Sequence, residues 1–180
     1  MKTNMNRLAR MTRVALIGGV ALGGSSLLTG TADGATDTAD LTVTATVAAN
    51  CTISSSGLAF GAYDPVSTNA ASPLDGSGAV SVTCTSGSVG DITLGQGANA
   101  DTGSTDAAPL RRMSDGTDHL AYFLYSDSGR TTVWGNTAET DVAHTGTGTS
   151  TDITVYGQVT AGQNVPAASY TDTVVATVTF

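Results

Sequence analysis

Apolar and polar residues alternate along most of this 180-residue chain. Strict alternation over four to eight residues is typical of a half-buried β-strand, because successive side chains point to opposite faces. Turn-rich stretches at 66–78, 97–109 and 142–151 interrupt the alternation. The pattern predicts extended segments at 41–47, 58–61, 79–84, 91–94, 120–125, 132–134, 152–159 and 170–180.

After residue 35, no segment has apolar residues at helical spacing between capping residues. Thr, Gly, Ala, Ser, Val and Asp dominate this part of the chain, and they favour strands and turns over helices. Short strands at regular intervals predict an all-β protein with a β-sandwich architecture.

The first 34 residues have the order of a secretory signal peptide. Four basic residues precede an apolar run at 14–28, and small residues follow it. Glycines and serines interrupt the run, which leaves it short for a membrane span. We expect export and cleavage near Ala32 to Ala35, with the bond in that range left open. N-terminal sequencing of the secreted protein should then find its start within a few residues of Gly34.

Removal of residues 1–34 would leave an acidic protein. Only Arg111, Arg112 and Arg130 remain as basic residues against fourteen acidic ones, which gives a net charge of −11. Such a surface repels nucleic acid and anionic membranes, so we expect no nucleic-acid partner.

The chain has two cysteines, Cys51 and Cys84. In an exported protein an isolated pair most simply forms one disulfide. Closing this loop would stabilise the fold by about 3–4 kcal/mol. His119 and His144 lie far from both cysteines and lack the spacing of metal ligands, so we expect no metal site.

The acidic residues of the mature chain do not form a catalytic pattern. Glu139 is its only glutamate, and most aspartates stand in turn-like contexts beside Gly, Ser or Thr. No nucleophile elbow, P-loop or dinucleotide-binding motif is present in the sequence. We expect a protein that is not an enzyme and has no cofactor. Calcium binding by aspartates stays open, although no EF-hand spacing supports it.

The segment before Cys51 has two unlike faces. Leu41, Val43, Ala45 and Val47 form an apolar face, and the opposite face consists of threonines. This pattern alone favours a first strand of the chain's own sheet, and the alternative is a strand made to complete the sheet of another molecule.

Short motifs across nearly all of the mature chain point to one family. They are Asn50-Cys51-Thr52-Ile53, 58–65, 80–84, 92–94, Arg112-Met113, 120–127, Trp134-Gly135, 156–159 and 170–180. In their order and cysteine placement, the chain resembles the spore coat protein U domain family. This family includes the major pilins of the archaic chaperone–usher pathway. Ser169 departs from the glycine that is usual in the family.

This resemblance implies an immunoglobulin-like β-sandwich that lacks its final strand. A periplasmic chaperone would lend a strand first, and the N-terminal segment of a neighbouring subunit would replace it during assembly at an outer-membrane usher. On this interpretation 1–34 is the signal peptide, 35–49 the donor-strand extension and 50–180 the pilin domain.

Two sets of alternating apolar residues take roles under this resemblance. The donor strand would contact the neighbouring subunit through Leu41, Val43, Ala45 and Val47. The C-terminal strand would flank the acceptor groove and pair with the strand of the chaperone through Val174, Ala176, Val178 and Phe180.

The function implied is that of a structural subunit of an adhesive surface pilus, which supports attachment and biofilm formation. Its partners would be identical or related pilin subunits, the chaperone and the usher. Two alternatives stay open. One is a spore or cyst coat protein, and the other is a surface-binding minor subunit, an adhesin, that uses the aromatic rings of Trp134 and Tyr125.

Overall fold

The computed structural model describes residues 34–180, so the predicted signal peptide lies outside the described residues except for Gly34. The chain divides into two units, Met1–Thr44 and Ala45–Phe180. In the described part of the first unit, residues 34–44 have no regular secondary structure and their side chains are exposed.

The second unit consists of β-strands and turns. Its strands are β1 (Cys51–Leu58), β2 (Leu74–Cys84), β3 (Val89–Leu94), β4 (Arg111–Ser114), β5 (His119–Tyr125), β6 (Val142–Thr145), β7 (Thr151–Val159) and β8 (Ala176–Thr179). The only helical element in residues 34–180 is a 3-10 turn at Thr68–Ala70. Nothing in this range forms a helix with the length and apolar character needed to cross a membrane.

The strands form two antiparallel sheets. The larger has the order β1-β2-β7-β5-β4, and the smaller has the order β6-β3-β8. Alternate residues of both sheets point inward and form one core, as in a β-sandwich. The buried apolar residues are Val80, Val82, Cys84, Ile92, Leu94, Leu120, Tyr122, Leu124, Trp134, Val155 and Val159. This arrangement confirms the predicted all-β, immunoglobulin-like fold class.

Four predicted segments are shorter than expected or absent as strands, and the first of them, 41–47, lies outside every strand of the described residues. The segment 132–134 is only a single bridge between Val133 and Tyr125, because the chain turns before it and Trp134 then enters the core. The strand predicted at 58–61 is the end of β1, which finishes at Leu58. In the C-terminal segment only Ala176–Thr179 pairs as a strand, while Thr171 forms a bridge to Ser114.

Two strands, most of a third strand and one strand extension occur where the sequence predicted none; the third is β1, of which only Leu58 was in a predicted segment. β6 lies in a stretch predicted as turn, and β4 begins with two arginines. The residues 74–78, also predicted as turn, extend β2 because they pair with 155–159 of β7. Ladder hydrogen bonds from the partner strand override the weak strand propensity of Gly and Asp at these positions.

Candidate functional site

The edges of the two sheets leave an open groove in the second unit. Within the described residues, β1 pairs only with β2, and β8 pairs only with β3. Between β1 and the C-terminal segment 170–176 lies a groove of about 500 Å³. Two sheet edges with unpaired backbone groups therefore face one opening.

Core side chains form the bottom of this groove. Val80, Leu94, Tyr122, Leu124 and Val155 all belong to the buried core and also line the groove. Its sides carry half-buried apolar residues that pack against the same core, namely Ile53, Leu58, Val174 and Ala176. A strand laid in the groove would thus cover apolar surface that the sandwich itself leaves accessible.

The two sides of the groove run in opposite directions. A Cβ atom added to Gly90 would lie 3.0 Å from a side-chain carbon of Val178 and 3.6 Å from the sulfur of Cys51. The start of β1 therefore meets the end of β8 beside Gly90. At the other end, Leu58 and Tyr170 line a common surface. The groove therefore has a Cys51 end and a Leu58 end.

The ring of Phe60 packs at the Leu58 end of the groove. It rests on a cross-strand pair of glycines, Gly76 and Gly157. A Cβ atom on Gly157 would lie only 2.8 Å from the ring, so the close approach requires glycine. The ring also meets Tyr122 edge to face at 5.9 Å. This packing holds the residues after β1 against the large sheet.

Asp172 fixes the C-terminal side of the groove. One carboxylate oxygen accepts hydrogen bonds from the backbone N–H groups of Ala98 at 2.9 Å and Asn99 at 3.1 Å. The other accepts the Tyr122 hydroxyl at 2.7 Å. Burial first, and then this bond to the carboxylate, raise the pKa of Tyr122 well above its usual value, so the hydroxyl remains a donor.

Arg111 connects the two sheets beneath the groove. Its side chain is almost fully buried, and its Nη2 donates to the carbonyl oxygens of Leu94 and Trp134, each at 2.8 Å. Its Nε donates to the carbonyl of Gly95, also at 2.8 Å. Burial lowers the pKa of Arg111 to about 10. The sequence analysis did not predict a structural role for Arg111. The mature chain has only three arginines and no lysine, and this scarcity of basic residues could have pointed to such a role.

Cys51 and Cys84 form a disulfide, as the sequence predicted. The two residues are direct partners in the β1–β2 ladder, with Cα atoms 4.1 Å apart. The bond therefore ties the start of β1, one side of the groove, to the end of β2.

The structure places the two predicted sets of apolar residues as follows. Val174, Ala176 and Val178 are half-buried and pack on the core, but Phe180 is 55% exposed. The predicted donor residues are exposed, with Leu41 at 87%, Val43 at 83% and Val47 at 82%, and Ala45 exposed as well.

One aromatic residue considered for surface binding is not available for it. Trp134 is fully buried, and its indole N–H donates to the carbonyl of Ile92 at 2.9 Å. The interpretation of Trp134 as a ligand-binding residue is therefore wrong, because its ring forms part of the core. Across residues 34–180, no three His, Cys, Asp or Glu side chains come together as a metal site would need.

Comparison with known proteins identifies the family. The family model of the Spore Coat Protein U domain matches residues 37–177. The chain belongs to the spore coat protein U domain family. Protein U of Myxococcus xanthus is 49% identical to this family member over 157 residues, which cover 83% of this chain and 88% of that protein.

A solved structure has a fold similar to this spore coat protein U domain. It is the complex of the chaperone CsuC with the tip adhesion subunit CsuE from the archaic chaperone–usher Csu pili of Acinetobacter baumannii. The match has a TM-score of 0.53 and 19% identity, and covers 75% of this chain. The matched region makes up 40% of the length of the chain in the solved structure. Family and fold together indicate a structural protein rather than an enzyme.

Proposed function

We propose that this chain is a structural subunit of an adhesive surface pilus, in which each subunit donates a β-strand to the next. The observation that carries the proposal is the apolar groove between the unpaired edges of β1 and β8. Such a groove suits an added strand, because backbone hydrogen bonds give affinity and alternate side chains give specificity.

The donor in this proposal is the segment 41–47 of a neighbouring subunit. Its apolar side chains are spaced by two residues and exposed, which is the pattern that a groove lined on one face requires. Burial of a Val or Leu side chain contributes about 1.5–3 kcal/mol each. The threonines of the other face keep the free segment soluble and favour an extended backbone.

An unfilled groove would expose core side chains and free strand edges, which promotes aggregation. We therefore propose a periplasmic chaperone that fills the groove after export, and an outer-membrane usher where the next subunit replaces it. The Csu structure is a pre-assembly complex of a chaperone with a tip adhesion subunit, which supports the chaperone step of this proposal. The finished fibre would stand on the cell surface and support attachment and biofilm formation.

A coat protein is the second candidate function. The name of the family refers to a spore coat, and a 49% identical relative is called Protein U. Electron microscopy with a labelled antibody against this protein distinguishes the two candidates. Filaments on wild-type cells that vanish with the gene support the pilus, whereas label confined to a spore or cyst layer supports the coat.

A pair of substitutions in the donor segment tests strand donation. Val43→Asp would put a charge into an apolar groove at a cost of several kcal/mol, so we expect it to abolish polymerisation. Thr44→Asp lies on the opposite face and should assemble almost normally. The yield of fibres and the thermal stability of the subunit–chaperone complex are measured for both variants.

The thermal stability of the subunit–chaperone complex is the control in this experiment. If the donor segment lies outside the subunit's own sandwich, neither substitution should change that stability. Equal fibre yields from the two variants would refute the donor assignment. A complex destabilised by Val43→Asp would instead place the segment in the subunit's own sheet.

A further inference from the structure

A second apolar hollow continues the groove at its Leu58 end. It has a volume of about 630 Å³ and lies between the segments 58–65 and 165–170. It shares Leu58, Phe60, Met113 and Tyr170 with the groove. We call this surface the end hollow. A strand that filled the groove would leave most of it uncovered, because its far side is formed by residues that do not line the groove.

The end hollow differs in charge from the rest of the mature chain. All of the described residues that line it are uncharged, and exposed Ala62, Ala167 and Ala168 are among them. The mature chain has a net charge of −11, so two copies repel each other across most of their surfaces. A neutral apolar face is the kind of surface through which such copies can pack together.

The ends of the groove determine where a donating subunit would lie. The chain enters its own sandwich at Asn50, whose N–H donates to the Thr85 hydroxyl, so the extension of each subunit leaves at the Cys51 end. If an incoming donor also finished at that end, the donating domain would crowd the outgoing extension. A donor that finishes at the Leu58 end avoids this conflict and allows subunits to add head to tail. It would also run antiparallel to β8, as β3 does.

The short connection between donor and domain then brings the donating domain close. Only Ala48, Ala49 and Asn50 separate Val47 from Cys51, so the first strand of that domain begins within roughly 13 Å of the end of the donor. The surface nearest to that point is the end hollow.

We propose that the end hollow is a contact surface for a second copy of this chain, namely the domain of the subunit that donates its strand. Each joint of the fibre then has a domain–domain contact in addition to the donated strand. This inference rests on the proposed function, because it takes strand donation as given.

Hydrogen exchange separates the two contacts. The reference is the mature chain with Val43→Asp, which cannot polymerise, bound to a synthetic peptide of residues 35–49. Its groove is filled but it has no neighbouring domain. We expect the backbone amides of 58–65 and 165–170 to exchange about tenfold more slowly in wild-type fibres than in this reference. Equal exchange rates in the two samples would overturn the domain–domain contact while leaving strand donation intact.

A charge in the end hollow gives a second readout with a matched control. Fibres of the Ala167→Glu variant should lose the added protection of 58–65, whereas those of Ala138→Glu, at an exposed position outside both lining sets, should keep it. Both variants should bind the donor peptide like the wild type. Full protection in Ala167→Glu fibres would overturn the proposal. Failure of the peptide to bind the reference chain would overturn strand donation itself, and this inference with it.

Discussion

At the scale of single residues, the aspartates show what sequence reasoning can and cannot reach. Asp115 and Asp127 were predicted to act as turn residues, and both accept hydrogen bonds from backbone N–H groups two to five residues ahead. These bonds lower the pKa of both carboxyls. Asp172 has a different role, because its partners lie more than 45 residues away in the chain. Hydrogen bonds between residues so far apart in the chain cannot be predicted from the local sequence pattern.

Removal of the Asp172 side chain should therefore destabilise the folded protein. Asp172→Ala leaves the Tyr122 hydroxyl and the N–H group of Asn99 without an acceptor, whereas the N–H of Ala98 keeps its bond to the Thr173 carbonyl. We expect a loss of about 1–3 kcal/mol in the free energy of unfolding. Asp152→Ala is the control, because this exposed carboxylate accepts one side-chain bond, from Ser81, and should cost at most about 0.5 kcal/mol. Urea denaturation of the chain with bound donor peptide measures both. Equal losses would show that Asp172 does not hold the groove wall.

At the scale of elements, strands with alternating apolar residues were predicted correctly and strands made by their partners were missed. β5 and β7 lie within a residue of their predicted bounds because their own side chains carry the pattern. In β6, Val142 is the only apolar residue that is even half-buried. The strand forms because its backbone pairs with the edge of β3. In β4, Arg111 faces inward together with Met113, and the charge of Arg111 hides a core position from any hydrophobic pattern.

The element most dependent on a covalent bond is β1. It has one partner strand in the described structure, and its ladder is irregular between Ser55 and Gly57. We expect the double variant Cys51→Ser/Cys84→Ser to lose about 3–4 kcal/mol in the free energy of unfolding and to bind donor peptide more weakly. Denaturation with and without reductant provides the control, since reductant should weaken the wild type and leave the double variant unchanged. A double variant as stable as the oxidised wild type would contradict a role of the disulfide in holding β1.

At the scale of the whole molecule, the sequence predicted the fold class and the family but not the shape of the groove. Sandwich architecture follows from repeated alternation, and the family from motifs spread along the chain. The groove depends on which strands become edges, and this is set by pairings between distant segments such as β3 with β8. The burial of Trp134 is another such outcome, because its position between the sheets follows from the fold as a whole.

The central claim is that the sandwich is incomplete without a strand from another molecule. The most direct measurement is the thermal unfolding of a chain that lacks residues 35–48, with and without a peptide of residues 35–49. Our account predicts that the truncated chain alone aggregates or melts at low temperature, and that the peptide produces a cooperative transition at a clearly higher Tm. A peptide with Val43→Asp should have little effect. A truncated chain that is monomeric, unfolds cooperatively without peptide and is unaffected by its addition would contradict the account.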